Sequence, residues 1–253
     1  MMITIFTIAG SAVYAAEIPV SDQDQLITSN DWTEISNLQD EMKKEEPDAT
    51  IDYDKALKVY VDCNLIKLQT ADTKKLTSAL ESANYVWVIP FKMEKTYGMF
   101  TVAKGLPLRE EAKSVLTKAE QEEVKNHAGK WMITEIAEHT VEPYYDILLE
   151  KREALSDCTR VVLVGSQPGM RQPVALGMDD ETARIWISLG YQYPVMEKIP
   201  ETQNVESGVY SFDSVAEISD TYIEDSEVST GVGVQSRSSM KYVAGIGLSL
   251  IHI

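Results

Sequence analysis

Two cysteines, three histidines and Ser166 are the side chains of this 253-residue chain best suited to nucleophilic, redox or metal chemistry. Cys63 and Cys158 could pair in an oxidising compartment, closing a long loop that stabilises a fold by roughly 4 kcal/mol in the chain-entropy view. The alternative is two buried thiols, because Cys63 lies on the apolar side of an alternating run and a free cysteine packs as a small apolar residue. Neither cysteine carries a local signature of a catalytic nucleophile.

His127, His139 and His252 show no His-x3-His or His-Glu-x-x-His spacing, so no metal site is expected. A serine-hydrolase reading would combine Ser166, His139 and Asp146. The surrounding Gly165-Ser-Gln-Pro-Gly169 is not a nucleophile elbow, and a strand rather than a helix follows it. No catalytic residue is therefore assigned, and no motif asks for a cofactor. The same loop has a second use: backbone N–H groups beside two glycines, with Ser166 and Arg171, could hold a carboxylate or other anion. Asp179-Asp-Glu181 lacks the alternating oxygen ligands of a calcium loop and reads as a hairpin tip. Among the aromatics, Trp87 reads as core, whereas Tyr191 and Tyr193 near the end of a hairpin could stack on a ligand. Ser166, Arg171, Tyr191 and Tyr193 are thus the candidate ligand-binding residues.

What must position them is a domain whose limits the charge pattern suggests. The chain carries a net charge of -17, which argues against nucleic acid as a partner, since that needs clustered Lys and Arg. Residues 21–54 hold 11 acids against Lys43 and Lys44, and residues 201–236 hold 8 acids and no base, while residues 55–200 are nearly balanced. The expected organisation is a signal peptide at 1–15, an acidic linker at 16–54, a single domain at 55–200, an acidic stalk at 201–236, and a truncated membrane anchor or terminal strand at 237–253. The leader rests on the apolar run at 3–13 and on Val13-Tyr-Ala15 before Ala16, which supplies the small residues of a cleavage site. The tail rests on 12 apolar residues after Lys241, short of the roughly 20 that a span needs.

Inside the central segment, Leu57, Val59, Val61, Cys63 and Leu65 alternate with polar residues and predict a half-buried strand. Thr73 is placed as the cap of a helix with Leu76, Ala79, Leu80 and Ala83 inward. Tyr85–Phe91 and Tyr97–Ala103 read as strands, with Pro90 weakening the first. Thr117 and Glu120 form a capping box for a helix ending near Gly129. Trp131–Ile136 is a strand, Thr140 is placed as the cap of the next helix, and Arg160–Val164, Pro173–Met178 and Ala183–Leu189 are strands. The elements do not alternate strictly, so the expected class is α+β, with a mixed, mainly antiparallel sheet and about three helices. The expected function is an exported, surface-tethered binding or sensing module for an unknown extracellular ligand or envelope component, with membrane contact through the tail. The alternatives are an extracytoplasmic hydrolase and a structural envelope protein.

Overall fold

A computed structural model describes residues 18–165, 167, 170, 172–191, 193–200, 204–223 and 240–241. In chain order they form α1 (Trp32–Ile35), α2 (Gln39–Glu45), β1 (Thr50–Ile51), β2 (Leu57–Val61), α3 (Thr73–Glu81), β3 (Asn84–Met93), β4 (Thr96–Lys104), α4 (Glu110–Lys113), α5 (Lys118–His127), β5 (Trp131–Thr140) and α6 (Tyr144–Glu150). Then come β6 (Arg160–Val164), β7 (Val174–Met178), β8 (Ala183–Ser188), β9 (Asn204–Glu206), β10 (Val209–Ser211), α7 (Phe212–Ile223) and β11 (Met240–Lys241). The strands make one sheet in the order β11-β5-β4-β3-β2-β6-β7-β8-β10-β9, with β1 added beside β3. Among the described strands only β2 and β6 pair in parallel, so the fold is α+β with a mixed, mainly antiparallel sheet. More helices pack on it than the three expected.

Each face of the sheet carries its own core. Register aligns Trp87 with Val102 and Ile89 with Phe100 on one face, and their row continues through Tyr60, Val164 and Val174 to Trp186. The opposite face aligns Val59, Leu163, Ala175, Ile187 and Val209, and α6 covers it with Tyr144, Ile147 and Leu148. Because both faces are covered, β2 is buried throughout except at Val61, not half-buried as its alternation suggests. Pro90 is tolerated because it falls where the neighbour of β3 changes from β2 to β1, and its carbonyl still accepts from the Asp52 N–H at 2.9 Å.

The segment expected as an acidic linker is part of this fold. Ile18, Leu26, Ile35, Met42 and Ala49 are all buried, and the last four join Trp87, Phe91 and Phe100 in one cluster. Burying each of the larger ones contributes about 1.5–3 kcal/mol. Residues 19–26 also run between the diverging ends of β2 and β6, where Pro19 accepts from the Val161 N–H at 2.7 Å and Asp24 from the Lys58 N–H at 3.0 Å. Acid count misled because two of these acids are acceptors for core side chains, Asp24 buried and Asp31 half-buried. The Asp24 carboxylate, 2% exposed, takes the Ser21 hydroxyl at 2.6 Å, the Tyr60 hydroxyl at 2.7 Å and Arg160 at 3.1 Å, with the Lys58 ammonium at 3.7 Å. Asp31 takes the Tyr85 hydroxyl at 2.8 Å and the Trp87 indole N–H at 3.0 Å. The Lys58 ammonium lies 4.5 Å from the Tyr85 ring centroid and 5.2 Å from that of Trp87. Burial outweighs the two carboxylates and holds this amine below its ordinary range.

Within the expected acidic stalk, residues 204–223 are likewise folded. Val209–Ser211 pairs with β8, and the Ser211 hydroxyl then accepts from the Ser214 N–H at 3.2 Å, capping α7. Phe212, Val215 and Ser219, spaced by three and four, turn inward. The signal segment at 1–15 and the apolar tail at 242–253 lie outside the described residues. Two caps also move. Asp72, not Thr73, accepts from the Lys75 N–H at 3.0 Å, while the Thr73 hydroxyl donates to the Asp179 carbonyl. Thr140 is the end of β5, and α6 starts after Pro143 without a side-chain cap. The capping box of Thr117 and Glu120 forms as expected.

Candidate functional site

Of the four ligand-binding candidates, Tyr191 and Tyr193 fall among the described residues. Ser166 and Arg171 lie outside the described residues. Gln167, which lies between them in the chain, is 1% exposed; its amide donates to the carbonyls of Cys63 at 2.6 Å and Gly165 at 2.8 Å and accepts from the Leu65 N–H at 3.0 Å. Tyr193, expected to be exposed, is a core residue: it is 3% exposed and donates to the Pro173 carbonyl at 2.6 Å. Tyr191 is half-buried against the helix-covered face, close enough to Tyr144 and Glu135 for both to perturb its hydroxyl.

The cysteines do not pair. Both are free and buried, with Cys63 in the core of one sheet face and Cys158 in that of the other, so the sheet itself separates them. Burial pushes both thiols up to about 11, which leaves them poor nucleophiles. Asp146 pairs with Lys55 at 2.7 Å. At the β7–β8 turn, Asp179 accepts from the backbone N–H groups of Glu181 and Thr182 and from Arg184, and Asp180 from the Thr159 hydroxyl. Hydrogen bonds to its charged form hold Asp179 below the usual range, as at an ordinary hairpin tip. Among the described residues, no three His, Cys, Asp or Glu side chains gather in a way that could hold a metal ion, and no helix is long and apolar enough to cross a membrane.

Two other features carry unexplained chemistry. The first is Glu135 on β5. Register against β4 slips between Thr101 and Val102, so Thr134 is the extra residue of a bulge, and its hydroxyl donates to the Thr101 carbonyl at 3.1 Å. The slip leaves Ile133 and Ile136 on the same face and turns Glu135 into the other, the face that α6 covers. There it is 3% exposed, with one long hydrogen bond from the Thr101 hydroxyl at 3.4 Å. Burial raises its carboxyl to about 7, against a weak opposing effect of Thr101. Sequence reading missed it because a carboxylate on a strand normally faces water. The signal that was present is Ile133-Thr-Glu-Ile136, two polar residues between two apolar ones where strict alternation allows one.

The second feature is a cleft of about 290 Å³ between the segment at residues 66–71 and the first turns of α7. Ile66, Ala71, Phe212 and Ala216 give it an apolar lining, and Gln69, Thr70, Asp213 and Glu217 a polar one. Both walls are anchored on the same β-hairpin. Ala71 accepts from the Ala183 N–H at 2.7 Å, the Thr73 N–H donates to Glu181 at 3.0 Å, and Phe212 stacks on Trp186 at 5.7 Å. Gln69 adopts a left-handed φ of 48°, which turns the chain at the rim. Asp213 and Glu217, one turn apart, make no ion pair among the described residues. None of the residues lining the cleft stood out in the sequence, because the helix that supplies half of them lies in the presumed stalk. Comparison with protein-family models, curated proteins and solved structures finds no match to this chain.

Proposed function

We propose that the chain is an exported binding module, and that its ligand-facing site is the cleft between residues 66–71 and α7. The single observation that carries this reading is the construction of that cleft: a lining shared between apolar and polar side chains, two carboxylates one helical turn apart, and both walls fixed to one hairpin. A preformed concavity with few polar groups is how small-ligand sites are generally built. The charge favours a cation, so the ligand class is a compact molecule with an amine on a short apolar body. Export rests on the leader-like residues 1–15, and binding on the cleft.

Calorimetric titration with n-butylamine, and with n-butanol as the uncharged match, tests the site. Butylamine should bind, butanol should bind more weakly, and the double variant Asp213→Asn, Glu217→Gln should lose about fivefold in amine affinity or more, equivalent to roughly 1 kcal/mol. Equal affinity for the amine and the alcohol, or an unchanged amine affinity in the variant, would remove the proposal.

A further inference from the structure

We infer that Glu135 is a proton-operated latch: with its carboxyl neutral, α6 and residues 189–191 seat on the sheet, and ionisation loosens both. Three observations support it. The bulge at Thr134 aims the carboxyl into the face that α6 covers, where a regular strand would have placed it on the other face. No cation stands within ion-pair distance of it among the described residues. Tyr144 of α6 is buried in the core of the same sheet face, and its hydroxyl is near enough to Glu135 for the carboxyl to perturb it.

The groups facing Glu135 are these. From β4 comes the Thr101 hydroxyl, which has no charge to give. From α6 comes Tyr144, and from the segment after β8 come Tyr191 and, behind it, Tyr193, all neutral well past pH 8 because burial raises them. Lys55 reaches this side of the sheet but is matched by Asp146 and Asp52. On the strand beyond β5, Lys241 stands opposite Ile136, not opposite Glu135. An ionised Glu135 thus meets only neutral hydroxyls and must draw in water, which requires the helix or the loop to give way. The outer ties of α6, Lys55–Asp146 and Lys151–Glu206 at 3.2 Å, are half-exposed and weak. The inference does not depend on what occupies the cleft.

Hydrogen exchange of the full chain at pH 6 and pH 8, corrected for the intrinsic rate at each pH, tests it. In the wild type the protection of α6 and of residues 189–191 should fall about tenfold between the two, the linkage expected for a carboxyl that titrates in that range only while buried. In Glu135→Gln, which keeps the shape and cannot ionise, it should not change. An equal fall in the variant, no fall in the wild type, or a fall shared by β7 and β8 would each overturn the latch. A carbon-13 titration of the Glu135 carboxyl supplies an independent arm: a midpoint near 7 supports it, and one below 5 refutes it whatever the variant does.

Discussion

Replacing Asp24 by Ala tests whether residues 18–54 are part of the folded unit or an appendage resting on it. The carboxylate is 2% exposed and is the common acceptor of Ser21, Tyr60 and Arg160, with Lys58 next to it. Removing it leaves the Lys58 ammonium and the Tyr60 hydroxyl without their acceptor in the sheet interior, whereas Arg160 is a quarter exposed and can turn toward water. Breaking a buried ion pair from one side costs about 3–5 kcal/mol, of which most is the stranded partner. Asp24→Ala should therefore lose about 4 kcal/mol, a large part of the 5–15 kcal/mol that a domain typically has. Removing both partners is different: the double variant Asp24→Asn, Lys58→Met should recover at least about half of that loss, because no amine is left buried and unpaired. Urea denaturation followed by tryptophan fluorescence measures both, and Trp87, bonded to Asp31, reports on the segment directly. A loss below about 1 kcal/mol for Asp24→Ala, with an unchanged urea slope, would mean that the segment is not docked and that the reasoning fails.

Two further outcomes are expected. Both thiols should resist maleimide in the native protein at pH 7.5 and react fully in denaturant, and a chain that runs identically with and without reductant would agree with two free cysteines on opposite faces. A Cβ at Gly177 would lie 2.8 Å from the Cys158 sulfur and 2.9 Å from Ile185, so Gly177→Ala should destabilise by about 1–3 kcal/mol. Gly177→Ala combined with Cys158→Ala should recover part of that loss, since it removes the sulfur that the new methyl meets.

Glu135 also gives the domain a stability profile whose sign can be worked out. Its folded value of about 7 lies above the ordinary 4.5, so the folded state holds the proton more tightly between those limits. Stability is then highest below about pH 4.5, falls as pH rises to about 7, and is flat above that. The contribution amounts to roughly 3 kcal/mol, and Glu135→Gln should restore about that amount at pH 8 while changing little at pH 4.5.

Much of the fold was legible because local chemistry and tertiary structure agree. The β3–β4 and β7–β8 hairpins follow from β-rich runs bounded by turns, and the α5 start follows from Thr117 and Glu120. Charge counting failed at both ends, for one reason: a count of carboxylates does not say whether donors are waiting for them. Lys58, Arg160, Tyr60, Tyr85 and Trp87 were all visible in the sequence, but nothing local ties them to Asp24 and Asp31 across 27 or more positions. At the other end the signal was present and outweighed, since Phe212, Val215 and Ser219 keep helical spacing behind a serine cap inside an acidic stretch. The cleft was invisible because its walls come from residues 66–71 and 212–217, which meet only through the hairpin that holds them.

The account rests on that cleft being the place where a ligand meets the protein. Backbone amide spectra of the full chain titrated with n-butylamine test it most directly. The account predicts shifts concentrated at Gln69, Thr70, Ala71, Asp213, Ala216 and Glu217, and much smaller ones with n-butanol. Shifts gathered elsewhere on the domain, or alike for both probes, would contradict it.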